Sequence, residues 1–159
     1  MAAAQTAAPS CRKKLYNCPM TSQDCIFCQI AAGMSPASIV YADERIAAFM
    51  DINQPVPYKT LIIPRAHVET IYDLSGEQAA WVMQAAVQIA QAIRAASNCD
   101  GLMLSQSNGA AAGQEVFHFH LHLWPRFWGD RLRISVPRSL TPRAELDRMA
   151  SEIRARLDF

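Results

Sequence analysis

Apolar and polar positions alternate in short runs through the first part of the chain, then give way to a helical period. Residues 26–32 read as a short helix closed by Gly33, a residue that takes a left-handed cap without steric cost. Two β-prone runs, 38–42 and 46–51, flank the polar turn Asp43-Glu44-Arg45 and predict a hairpin. Pro55 and Pro57 interrupt the chain before a third strand, 60–63, which ends at Pro64. Ser75 and Gln78 have the spacing of a capping box. A long helix follows to about residue 96, with Trp81, Ala85, Ile89 and Ile93 on one face and Asn98 and Gly101 ending it. Residues 102–105 and 116–124 read as two more strands, joined by a loop of small residues, 107–113. A closing helix is capped by Thr141, takes Pro142 in its first position and buries Leu146, Met149, Ile153 and Leu157. No segment repeats. This order predicts an α+β domain built on a mainly antiparallel sheet.

Composition narrows the class. The chain has 159 residues, 51% of them apolar and 18% charged, which suits one domain with a real core. Fifteen Lys and Arg against fourteen Asp and Glu leave a net charge of +1, with no excess to grip nucleic acid or an acidic membrane. The Ala-rich uncharged stretch 78–93 carries too much Gln and Ala for a membrane span. Residues 1–23 hold no acidic residue. Their basic group Arg12, Lys13 and Lys14 follows the short apolar opening, the reverse of a secretory signal. A transit peptide fits that composition; a flexible tail, with Met20 near the start of the functional part, is the plainer expectation. The domain is then 24–159, with a core of 24–126 and a helical extension over 140–158. Of five cysteines, Cys11 and Cys18 lie in the tail, Cys99 stands alone, and Cys25 and Cys28 form a CxxC. An odd count with no dense framework points to a reducing, cytoplasmic setting.

The segment from Val116 to Trp124 carries the candidate chemistry. With an unbroken period of two, Phe117, Phe119, Leu121 and Leu123 would face a core, and His118, His120 and His122 the opposite side. Three of the chain's four histidines on one face is not a solvated surface pattern. Two chemistries use such a row. As metal ligands, all three cannot share one ion, because His118 and His122 are separated by roughly 13 Å along a strand. As nucleophile, the central imidazole attacks phosphorus while its neighbours orient the substrate, and a neutral imidazole needs no activation near neutral pH. The second reading is better. The preceding run Gly109-Ala110-Ala111-Ala112-Gly113-Gln114 lets backbone amides approach an anion, although a hairpin connection would look the same. It lacks the Lys of a P-loop.

His118-Phe119-His120-Leu121-His122-Leu123-Trp124 resembles the motif of the histidine triad nucleotide-binding family, His-φ-His-φ-His-φ-φ with φ apolar. The resemblance extends from about Asp24 to Arg126 through Cys25-Ile26-Phe27-Cys28, residues 47–53, 61–67 and 112–114. It is closest in character to bacterial members with purine nucleoside phosphoramidase activity. It implies a five-stranded antiparallel sheet with helices, and a homodimer. It also implies a purine nucleotide substrate, with His120 as nucleophile on the α-phosphate, His122 on the phosphate and leaving group, and His118 as the first triad member. Asp51 falls where the family holds the ribose hydroxyls. Ile26, Phe27, Ile30, Phe49 and Ile52 match the base pocket, and Asn108, Gly113, Gln114 and Glu115 match the phosphate loop. His122 stands where the related nucleotidyl transferases carry Gln, which implies hydrolysis. Two departures stand out: Ser107 replaces an Asn common in bacterial relatives, and Tyr58-Lys59 replaces Gly-His, implying a changed contact at the entrance.

Bacterial relatives with this CxxC imply a structural zinc held by Cys25, Cys28, His67 and His118. The CxxC alone supplies only two of four ligands and equally reads as two reduced cysteines packed as small apolar residues. The leading expectation is therefore a phosphoramidate hydrolase without an organic cofactor. A diadenosine polyphosphate hydrolase, a nucleotide-sensing binding module, and a metal-dependent hydrolase using the triad as ligands are the alternatives.

Overall fold

A computed structural model describes residues 24–131 and 140–157; the expected tail, 1–23, lies outside them. The elements are α1 (Ile26–Ala31), β1 (Ile39–Ala42), β2 (Ile46–Met50), β3 (Thr60–Pro64), α2 (Gly76–Ser97), β4 (Gly101–Ser105), a short 3-10 helix (Ala110–Ala112), β5 (Leu121–Arg126) and α3 (Arg143–Arg154). All strand pairs are antiparallel and the sheet order is β1-β2-β3-β5-β4. The chain leaves β3 along α2, lays β4 at the edge, and returns to fill the gap with β5. The expected α+β architecture with one five-stranded sheet, a long helix and a C-terminal helix is the one observed.

The strand alternation builds two apolar layers. Ile46, Ala48, Met50, Ile62, Leu121 and Leu123 face α2 and α3, meeting Ala85, Ile89, Ile93, Leu146, Met149 and Ile153. Ala47, Phe49, Leu61 and Ile63 face the other way, toward Phe27 of α1 and Cys25. Every residue of β2 and of β3 is consequently buried. The register aligns Phe49 with Leu61 and Leu61 with His122, so His122 rises from the α1 side of the sheet. None of the described helices is long and apolar enough to cross a membrane.

Four expectations need correction. The strand proposed over 116–124 begins only at Leu121 and runs on to Arg126. Upstream, the amides are spent elsewhere: Phe119 N donates to Val68 O at 2.5 Å and His118 N to Val116 O at 2.9 Å. Downstream, Pro125 is tolerated because β3 pairs β5 only through Leu123, leaving β4 as Pro125's sole ladder neighbour. Second, Phe117 belongs to neither apolar layer. Third, Thr141 does not cap α3. Pro142 occupies the N-cap with ψ of 141°, and the Thr141 amide donates to Ile52 O at 2.9 Å. Fourth, Asn98 alone, left-handed at φ 55°, terminates α2, whereas Gly101 opens β4.

The Ser75–Gln78 capping box is complete in both directions. Ser75→Ala is expected to cost about 1 kcal/mol in a urea melt, and Thr141→Ala less than about 0.5 kcal/mol. Equal losses would overturn the assignment of the caps.

Candidate active site and metal cluster

Although the ladder begins only at Leu121, the alternation holds: His118, His120 and His122 all lie on the α1 side of the sheet, and Phe119, Leu121 and Leu123 turn toward α2 and α3. His118 turns to the N-terminal side. Its Nε2 lies 2.8 Å from Pro64 O, and a carbonyl only accepts, so Nε2 carries the proton and Nδ1 keeps its lone pair. That Nδ1 sits 3.5 Å from Cys25 Sγ and 3.4 Å from Cys28 Sγ, while His67 Nδ1 lies 3.2 Å from Cys28 Sγ. The four ligand atoms of Cys25, Cys28, His67 and His118 all fall within 4.8 Å of one another. Tetrahedral zinc with ordinary bond lengths has sulfur-to-nitrogen edges of about 3.6 Å. The observed 3.2–3.5 Å separations therefore fit such an ion without rearranging the elements. The outer contacts fit as well: Pro64 O orients His118, and Glu69 Oε1 faces His67 Nε2 at 4.0 Å. Burial, then the neighbouring Cys25, pushes the Cys28 thiol up to about 12, a shift that a cation in the cluster would oppose. Burial holds His118 down at about 4, so it offers a neutral imidazole.

His120 and His122 form the second half of the site. His120 Nδ1 lies 2.6 Å from His118 O and must donate to it, which leaves Nε2 as the bare nitrogen. Phe27 stands edge-on to this ring at 5.2 Å and to Phe49 at 5.4 Å. His122 packs 4.8 Å from His120 and 5.7 Å from Trp124 between ring centroids. Its Nδ1 is buried without a hydrogen-bond partner, 3.8 Å from Asp51 Oδ2. Burial lowers the pKa of both imidazoles. His122 goes to about 3, with further contributions from His120 and Lys59, and for His120 the His118 carbonyl and Asp51 partly oppose the shift.

Asp51 thus lies beside the histidines, at the end of β2. Of the proposed base-pocket residues, Phe27, Phe49 and Ile30 pack into the α1-side layer, whereas Ile26 and Ile52 are exposed and able to meet a ligand. In the loop, Gly113 takes φ of +86°, which its lack of a side chain permits. Gln114 is the loop's tie: it is buried, accepts Gly109 N at 2.7 Å and donates to Glu69 O at 2.7 Å and Val116 O at 3.1 Å. Asn108 bonds Ile71 N and Gln106, and Glu115 is exposed. Sequence reasoning noticed Lys59 only as a departure at the entrance. It is in fact buried, with Nζ 2.5 Å from Asp51 Oδ2 and 3.8 Å from the centroid of the Trp124 ring. A lone Lys directly ahead of the largely apolar strand 60–64 was the signal available.

The HIT domain profile matches residues 32–129. Protein hit of Bacillus subtilis is 43% identical over 106 residues, 67% of this chain and 73% of that protein. Adenylylsulfatase HINT3 of Arabidopsis thaliana is 37% identical over 103 residues, 65% of this chain and 52% of the relative. A Zn-bound histidine triad family protein from Mycobacterium smegmatis superposes with a TM-score of 0.75 and 34% identity, covering 85% of this chain and 94% of that one.

Two buried neutral imidazoles make stability depend on pH. Their unfolded value is about 6.5, against about 4 for His118 and about 3 for His122 in the fold. The unfolded chain therefore binds more protons below about pH 6.5, and stability falls as pH drops through that window, by about 1.4 kcal/mol per pH unit per imidazole. Urea midpoints at about pH 7 and about pH 5 should differ accordingly, with a shallower slope in His122→Asn. A flat profile would contradict the burial of neutral imidazoles.

Proposed function

Because the chain belongs to the HIT domain family, we propose that it is a nucleotide hydrolase that cleaves nucleoside 5′-phosphoramidates through a nucleotidyl-histidine intermediate. The observation that carries this reading is the 2.6 Å contact between His120 Nδ1 and His118 O, which fixes the tautomer with Nε2 free. The Nε2 lone pair attacks the α-phosphorus, an N–P bond forms on His120, and the P–N bond to the leaving amine breaks as the amine takes up a proton. Water then attacks the same phosphorus and the His120 N–P bond breaks. The nucleoside monophosphate leaves, and the proton lost by water balances the one taken by the amine. Burial keeps the nucleophile unprotonated, as this step requires.

The remaining residues take roles around that centre. His122 meets the phosphate and the leaving group, Asp51 accepts the ribose hydroxyls, Ile26 and Ile52 flank the base over the Phe27–Phe49 layer, and the loop around Gly113 approaches the phosphate. Cys25, Cys28, His67 and His118 are the residues that would hold zinc, which would then cross-link α1, the end of β3 and the histidine segment. Their reduced state suits a reducing compartment such as the cytoplasm. A homodimer would close on the free edge of β4, where Leu104 and, on α2, Met83 and Val87 are exposed. The Arabidopsis relative's name, adenylylsulfatase, favours a second reading in which the same nucleophile releases an anionic group from an adenylyl donor.

Release of AMP from adenosine 5′-phosphoramidate by wild type is the test. His120→Asn should lose on the order of 10³-fold or more in kcat while still binding AMP. A wild-type rate in that variant would remove the nucleophile assignment. Failure of wild type on this substrate, with turnover of adenylyl sulfate or diadenosine polyphosphate, would move the reading to anionic leaving groups. Stripping metal with a chelator, or Cys25→Ala, should lower Tm far more than it lowers rate. A collapse of rate in folded, stripped protein would instead make the metal catalytic.

A further inference from the structure

Lys59 is buried among groups that the proposed chemistry already uses, and its own role is unaccounted for. Its backbone is pinned from both sides: its N–H donates to Gln54 Oε1 at 2.9 Å, and its carbonyl accepts Gln54 Nε2 at 2.7 Å and Asp51 N at 3.1 Å. Its ammonium lies 2.5 Å from Asp51 Oδ2 and over the Trp124 ring. Trp124 is itself fixed by an Nε1–H bond to Ser105 Oγ at 2.8 Å. An ammonium so deep in the protein is held in place by its partners, because moving it without them would cost several kcal/mol.

Asp51 Oδ2 has two claimants. Lys59 Nζ is at 2.5 Å, and His122 Nδ1, buried and without a hydrogen bond, is at 3.8 Å. The other oxygen, Oδ1, already accepts Asn53 N at 2.9 Å. With Lys59 present, the carboxylate is balanced and the imidazole is left alone. Without that charge, Asp51 would be a half-buried, uncompensated carboxylate beside an imidazole, and the inexpensive repair is to protonate His122 and close the gap. The charged and titratable groups around His122 are Asp51 and Lys59 from the 51–59 connection and His120 from its own segment. Its cross-strand partners, Leu61 on β3 and Ser105 on β4, do not titrate in this range.

We propose that Lys59 is a positioning residue that occupies the Asp51 carboxylate and thereby keeps His122 a neutral imidazole with a free Nδ1. Lys59 need not touch the nucleotide to do this. Only the catalytic consequence rests on the function proposed above; the geometry stands without it.

The test is a pH titration of the imidazole nitrogens by long-range ¹H–¹⁵N NMR on the full chain, with His122 assigned from the His122→Asn spectrum. Wild type, Lys59→Arg, Lys59→Gln and Asp51→Asn/Lys59→Gln are compared, and kcat/KM is followed across the same range. In Lys59→Gln, His122 should titrate about two pH units or more above wild type. Lys59→Arg, which retains the cation, should behave as wild type, and the double variant should return His122 to its neutral state. Lys59→Met carries the same expectation and serves if the Gln variant does not fold. A folded charge-removed variant whose His122 titrates as in wild type would overturn the proposal. A shifted His122 with an unshifted acid limb of kcat/KM would uphold it and remove His122 from the proposed reaction.

Discussion

His118 is held at both ring nitrogens and at its carbonyl, and the site is organised around that restraint. Nε2 donates to Pro64 O at the end of β3, and Nδ1 faces the thiols of Cys25 and Cys28 at the start of α1. Its carbonyl receives Nδ1–H of His120. One residue therefore ties an N-terminal helix to a central strand and sets the tautomer of the next imidazole along. The motif places histidines at alternate positions on one side of the sheet, and their partners differ: the Cys25 and Cys28 thiols at His118, the His118 carbonyl at His120, and the Asp51 carboxylate near His122.

The second constraint is the handling of charge in a dry place. His118, His120 and His122 are all driven toward their neutral forms, chiefly by burial. The ion pair of Lys59 and Asp51 fits the same logic, since neither charge is buried without the other.

Much of this was legible in the sequence. Short β-prone runs, the polar turn between them and proline breaks located β1, β2 and β3 to within a residue, and the capping box marked the start of α2. The three histidines could be named from their period of two, whereas Asp51, His67 and the pairing of Cys25 and Cys28 with two histidines came only through the family resemblance. What could not be read was which backbone amides bond outside the sheet. Val68, far from Phe119 in sequence, takes its N–H, and alternation alone extends the strand across that break. The N-terminus of α3 failed for a related reason: the Thr141 amide is spent on Ile52, a contact invisible to local pattern. Lys59 was hidden because charge is ordinarily read as exposure, and its partners lie at the other end of its own connection and on another strand.

Those long-range contacts also explain why the C-terminal helix matters to a site it does not line. Tyr58, immediately before Lys59, is left-handed at φ 67°, a conformation that costs a residue with a side chain about 1–2 kcal/mol. The resemblance to the family places Gly there, where that cost is absent. Here Tyr58 is anchored instead, its hydroxyl donating to Glu152, which in turn bonds Arg148 at 2.7 Å, and its amide resting on Met149 Sδ at 3.2 Å. Thr141 N–H to Ile52 O and the bridge between Asn53 and Leu140 grip the other end of the same connection. α3 and the residues leading into it thus hold, from outside, the segment that carries Asp51 and Lys59. The Tyr58-Lys59 replacement is best understood as a unit, in which a strained but anchored tyrosine sets the lysine beneath the row of histidines.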